Sequence, residues 1–209
     1  SSFIHIGDKW HFHCKLQSPM FTLRSIAIAC QRTMAMSTIS AASALGLSLL
    51  ALPAGAQTVL QAGEAAVVSL RSDAPDAVSL LLLRAVDAGT ETRITDNGWK
   101  SGGGFWTNEG VVVWTAVNAV AAGTVIHLTG LDKDATAAAS VVKVVGSSSF
   151  NLASGGDSVL VYQGSDATPQ FLFGLNNTAG GQWQADAADA NTSALPPGLT
   201  NGVTALALA

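Results

Sequence analysis

Val111-Val112-Val113-Trp114-Thr115 carries bulk on both of its faces. Read at the strand period of two, Val111, Val113 and Thr115 share one face, and Val112 and Trp114 share the other. β-Branched and aromatic residues fill all five positions, which suits a pleated sheet. A strand bulky on both sides needs cover on both sides, so this reading predicts an interior strand. Working outward, runs of the same kind recur at Ala65–Leu70, Val78–Val86, Thr92–Thr95, Thr124–Thr129, Ser140–Val145, Ser158–Tyr162, Gln170–Leu175 and Val203–Leu208. In Ser140–Val145 the charged Lys143 marks the wetter face. Turn chemistry separates these runs: Asp73-Ala74-Pro75-Asp76, Asp96-Asn97-Gly98, Ser101-Gly102-Gly103-Gly104, Ser154-Gly155-Gly156-Asp157 and Pro196-Pro197-Gly198. No stretch after Gln57 has a helical period with caps. Nine short strands with frequent turns predict an all-β fold, a sandwich or barrel.

An internal echo crosses this pattern. Val86-Asp87-Ala88-Gly89-Thr90 leads into Ile94-Thr95, and Val120-Ala121-Ala122-Gly123-Thr124 leads into Val125–Leu128. Two copies are too few for a solenoid. They read as two similar turns, each feeding a strand.

The N-terminal quarter reads differently. Residues 1–19 have no periodicity and are expected to be an upstream or non-native leader. His11, His13 and Cys14 lack the second ligand cluster that a metal site needs. From Met20 the chain has the form of a signal peptide. Arg24 and Arg32 supply the positive region, and Ile39–Leu52 the apolar one. Pro53 then precedes the Ala54-Gly55-Ala56 cleavage motif. The expected cut falls between Ala56 and Gln57, leaving 57–209 as one domain. Export to the periplasm, cell surface or exterior follows. Continuation past Ala209 is also expected.

From Gln57 onward there are six Lys and Arg against thirteen Asp and Glu, a net charge of −7. That balance repels phosphate backbones and anionic lipid, so direct nucleic-acid binding is not expected. No apolar stretch there approaches the roughly 20 residues of a spanning helix. Both cysteines, Cys14 and Cys30, precede Gln57. The domain is therefore expected to hold itself together by its core, and 153 residues suffice for that.

The stretch Ala122-Gly123-Thr124-Val125-Ile126-His127-Leu128 is followed by Ser149-Phe150-Asn151-Leu152-Ala153-Ser154-Gly155-Gly156-Asp157-Ser158-Val159-Leu160-Val161-Tyr162. Together they resemble the lamin-tail domain, which often shows an Ala-Gly-Thr turn before one strand and a Phe-x-Leu…Gly-Asp…Leu-x-Tyr hairpin later. The resemblance implies an immunoglobulin-like β-sandwich. It also implies company, since such domains occur in bacterial exported proteins beside nucleases, phosphatases or surface anchors. Thr95-Asp96-Asn97-Gly98-Trp99 and the run from Asn191 to Gly202 are similar to segments of bacterial exported proteins, some with C-terminal sorting tails.

Catalytic signatures are sparse. After Gln57 the one histidine is His127, mid-strand, and no Gly-x-Ser-x-Gly occurs. Gly102-Gly103-Gly104 lacks the Lys and helix of a phosphate loop. No cofactor is expected. Calcium is the one alternative, held by the acidic loops around Asp132 and Asp134, or around Asp186, Asp189 and Asn191. Neither has EF-hand spacing, and solvated loop acids in Asx-turns explain both.

Binding is the leading expectation. The run from Trp99 through Gly102, Gly103 and Gly104 to Phe105 and Trp106 joins glycines to bulky aromatics that can anchor a ligand or a cell-surface partner. The competing reading folds these aromatics over the sandwich core. The leading function is thus an exported, non-catalytic module for binding, adhesion or envelope association. An accessory domain of a secreted hydrolase, with its catalytic part beyond Ala209, is the alternative.

Overall fold

The structure, a computed structural model, describes residues 56–133, 135–137, 142–145, 149–178 and 180–208. The expected leader and the expected signal peptide up to Gly55 lie outside the described residues, as does Asp134. The described chain is all β. Its strands are β1 (Ala65–Arg71), β2 (Ala77–Leu82), β3 (Glu91–Thr95), β4 (Val111–Ala116), β5 (Val125–Thr129), β6 (Val142–Val145), β7 (Ser158–Ser165), β8 (Thr168–Asn176) and β9 (Ala205–Ala207). All nine expected strands are present. The run expected over Val78–Val86 stops at Leu82, because Leu83, Arg84 and Ala85 turn out to solvent and carry the chain between sheets. The last strand shrinks from Val203–Leu208 to three residues, since Val203 and Thr204 sit in a turn.

Two sheets form, consistent with a β-sandwich. One has the order β1-β2-β5 and the other β6-β4-β3-β7-β8-β9, antiparallel throughout except for the β8–β9 pair. Alternation decides which side chains meet between them. Val78, Leu80, Leu82, Ile126 and Leu128 come from the first sheet, and Ile94, Val112, Trp114, Val159 and Val161 from the second, into one core. A bulge in β1 between Val67 and Ser69 shifts the register, which leaves both Val68 and Ser69 exposed. As predicted, β4 is interior, flanked by β3 and β6.

The sequence echo marks a larger repeat. Residues 78–95 and 112–129 align thirty-four positions apart, sharing Val78/Val112, Ala85/Ala119, Val86/Val120, Ala88/Ala122, Gly89/Gly123, Thr90/Thr124 and Thr95/Thr129. The two copies grip each other. Val86 N donates to Val120 O at 2.9 Å and Val120 N to Val86 O at 2.8 Å. Gly89 N reaches Ala116 O at 2.8 Å, and its counterpart Gly123 N reaches Leu82 O at 2.7 Å. Both glycines stand at φ 85°, where L side chains are strained. Each copy crosses from one sheet to the other in opposite directions. This crossing pair fixes how the sheets face one another.

The second sheet also buries part of its outer face. Leu160, Tyr162, Phe171 and Ala205 form a smaller core there with Trp99 and Leu199, and Phe105, Val111 and Trp183 pack against it. The cover comes from the β3–β4 connection and from the long segment after β8. Gly174 in β8 has no room for a side chain: an added Cβ would lie 2.9 Å from Trp183 Cη2.

Candidate functional site

The glycine run forms a tight hairpin between β3 and β4. Trp99 and Phe105 bridge, Trp106 N donates to Gly98 O at 2.7 Å, and Lys100 N donates to Gly104 O at 3.0 Å. Gly103 N closes the tip on Lys100 O at 2.9 Å. Gly103 and Gly104 take φ of 97° and 82°, so the turn itself requires them. Gly102 has no such demand on its backbone, and an added Cβ there would meet open space.

Neighbouring loops hold the hairpin. Ser101 N donates to Asp186 Oδ1 at 2.6 Å, and this backbone bond is the main reason the Asp186 carboxyl sits below its usual range. Trp99 N donates to Ser193 Oγ at 2.9 Å, and Ala194 N donates to Trp99 O at 2.9 Å. Aromatic edges lock the base. Trp99 meets Phe105 at 5.1 Å and Phe171 at 4.9 Å, both nearly perpendicular, and Phe105 lies 5.1 Å from Tyr162. Such pairs contribute about 0.5–1.5 kcal/mol each beyond their burial.

The aromatics of the run therefore divide. Trp99 is buried, and Phe105 is half-buried in the same cluster. They cover the outer face of the second sheet, apart from the main core between the sheets. Trp106 is half-buried and lines an open depression of about 490 Å³ with Asn97, Thr107, Asn108, Glu109 and Asp166. Asn108 stands at φ 77°, the one described non-glycine residue in that region. On the opposite flank, Trp99, Ser101, Gly102, Gly103, Leu195 and Pro197 border a second depression of about 500 Å³.

The acidic loops do structural work. Asp186 also accepts from Ala187 N at 2.9 Å, and Asp189 Oδ1 accepts from Asn191 N at 3.1 Å and Thr192 N at 3.0 Å, an Asx-turn. Asp132 Oδ1 accepts from Asp76 N at 3.0 Å. Among the described residues, no three acids, histidines or cysteines converge as metal ligands.

One pairing escaped the sequence reading. Ser79 Oγ lies 2.9 Å from His127 Nδ1, across the β2–β5 register. The two residues sit 48 positions apart, so no local motif could reveal them. In a hydrolytic triad the serine faces Nε2 and a carboxylate orients Nδ1. Here the serine takes Nδ1, on the outer face of a sheet, and no described carboxylate bonds the ring. Ester, phosphoester and glycoside substrates are expected to give only background rates with the purified chain. Turnover lost alike in Ser79→Ala and His127→Ala would make the pair catalytic and overturn this.

Fold and site together define a two-sheet β protein with a braced aromatic hairpin on one face. Compared with known proteins, the chain matches no family model, no curated protein and no solved structure. Among the described residues, no helix is long and apolar enough to cross a membrane.

Proposed function

We propose that this chain is an exported, non-catalytic, immunoglobulin-like β-sandwich module, similar to the lamin-tail domain, that binds a ligand or cell-surface partner through the Trp106 side of its aromatic hairpin. Strand order supports the immunoglobulin-like reading. The order β1-β2-β5 follows A-B-E of that fold, and β4-β3-β7-β8 follows C′-C-F-G, with β6 and β9 as added edges. Export rests on the charged, apolar and small-residue succession from Met20 to Ala56.

The observation that carries the binding reading is the contrast between Trp99 and Trp106. The hairpin buries one indole as a brace and leaves the next large ring half in solvent, on a loop fixed by Asp186, Ser193 and the aromatic cluster. A rigid aromatic beside polar groups loses little rotamer entropy on contact. The acidic surroundings, Glu109 and Asp166, favour neutral or cationic ligands over anionic ones.

The test is retention on isolated cell envelopes. The secreted chain is expected to be retained, and Trp106→Ala is expected to weaken retention about tenfold or more, as loss of a central aromatic anchor does. The melting temperature should move far less than for a core tryptophan. Absence of retention, or equal retention by the variant, would remove the hairpin as the site.

A further inference from the structure

At one end of the sandwich, a short segment is gripped in a way that no turn chemistry requires. Phe150 and Leu152 point into the main core, both almost fully buried, and plug it. The three successive amides that follow Phe150 each go to a different buried aspartate. Asn151 N donates to Asp96 Oδ2 at 2.6 Å, Leu152 N to Asp76 Oδ2 at 2.7 Å, and Ala153 N to Asp157 Oδ2 at 2.9 Å. Asp76 stands just before β2, Asp96 just after β3, and Asp157 just before β7, so the grip ties the plug to both sheets. All three are at most 2% exposed.

The grip has further members. Asp96 Oδ1 accepts from Gly110 N at 2.9 Å, and its carboxyl faces that of Glu109. Asp157 Oδ1 accepts from Ser158 N at 2.7 Å. Charged groups facing the three are nearly all acids. Asp76 faces Asp132, Asp73 and the cation Arg71; Asp96 faces Glu109; Asp157 faces Asp96 and Asp76.

We infer that Asp76, Asp96 and Asp157, with Glu109 beside Asp96, form a proton-operated latch on the Phe150–Ala153 plug, tight in mildly acidic medium and loosened as the medium approaches neutrality. Neighbouring carboxylates taken out of water cannot all stay ionised without an opposing charge, and Asp96, Glu109 and Asp157 face one another. Burial, the largest cause, pushes all three aspartates up against the opposing pull of their amide bonds, Asp157 from 3.8 to about 7. The sign follows by linkage. Between about pH 4 and 7 the folded chain keeps protons that the unfolded chain has released, so stability falls as pH rises through that window and levels off above it. Each retained proton raises the opening constant by up to about tenfold per pH unit. Glu109 also borders the Trp106 depression, but the latch is read on the chain alone, with no ligand present.

The test is a pH series from 4.5 to 8 on the purified chain, reading the melting temperature and the exchange protection of the Asn151, Leu152 and Ala153 amides against free-peptide rates. Both are expected to decline towards pH 7. Asp157→Asn and Asp96→Asn cannot ionise and should each flatten the decline, while lowering stability at every pH because one of two accepting oxygens becomes a donor. Carboxyl ¹³C titration of the unaltered chain settles the matter where a variant does not fold: Asp96 and Asp157 should titrate well above the ordinary aspartate range. Ordinary titration, or stability that is flat or rising from pH 4.5 to 7, would overturn the latch.

Discussion

Trp114→Ala is expected to cost the fold about 3–5 kcal/mol, the range for deleting a large buried aromatic. Trp114 is fully buried and sits in the interior strand β4, opposite Thr92 on one side and Val144 on the other. Its face of the sheet also carries Val112, Ala116 and Ile94, all in the main core. A cavity there lies between two paired strands and cannot collapse without moving a ladder. At roughly 2–4 °C per kcal/mol for a chain of this length, the melting temperature should fall by about 6–20 °C. Trp114→Phe should be milder, because the Trp114 Nε1 is buried without a hydrogen-bond partner and its loss leaves nothing newly unpaired. A loss below about 1 kcal/mol in Trp114→Ala would mean that the core is organised around other residues.

What was legible in the sequence, and what was not, follows from the range of the interactions involved. Alternation and β-branched content are local, and they located all nine strands, β4 as an interior one included. Pairing is not local. Nothing in Val78–Leu82 says that it neighbours Val125–Thr129 rather than the nearer Glu91–Thr95, so the Ser79–His127 contact stayed hidden. The echo at Val86–Thr90 and Val120–Thr124 was visible, but its meaning was not. Only the hydrogen bonds between Val86 and Val120 show that the copies pair with each other. Turn composition misled in one respect. Asp96-Asn97-Gly98 and Gly156-Asp157 read simply as turns, yet both aspartates are buried acceptors for a segment more than fifty positions from Asp96 and four from Asp157. Phe150 and Leu152 beside a Gly-Asp turn were the available clue: apolar residues that must enter the core bring their amides along, and those amides need partners. The hairpin aromatics stand out in the sequence, but burial separates Trp99 from Trp106, and burial is not written in an eight-residue run.

Gly110→Ala is the substitution expected to damage the plug itself. Gly110 has ordinary backbone angles, so no turn demands glycine there; the requirement is space. An added Cβ would lie 2.3 Å from Phe150 N, 2.6 Å from Phe150 Cα and 2.7 Å from Phe150 Cβ. Real Cβ atoms do not approach so closely, and two of the three obstacles are backbone. Neither side can retreat easily. Gly110 is held by its N–H on Asp96 and by its carbonyl, which accepts from Thr95 Oγ1 at 2.6 Å. Phe150 is fully buried, and the next three amides are fixed on Asp96, Asp76 and Asp157. Overpacking usually costs about 1–3 kcal/mol where the surroundings can shift. With both partners pinned, about 3 kcal/mol or more is expected, at the upper end of that range. The loss should come with lowered exchange protection at Asn151, Leu152 and Ala153, because displacing Phe150 pulls their amides from the carboxylates. A variant within about 1 kcal/mol of the parent, with those amides still protected, would show that the plug and β4 do not meet as closely as described. Gly102→Ala is the internal control: an added Cβ meets nothing within 4 Å there, so stability should hardly change.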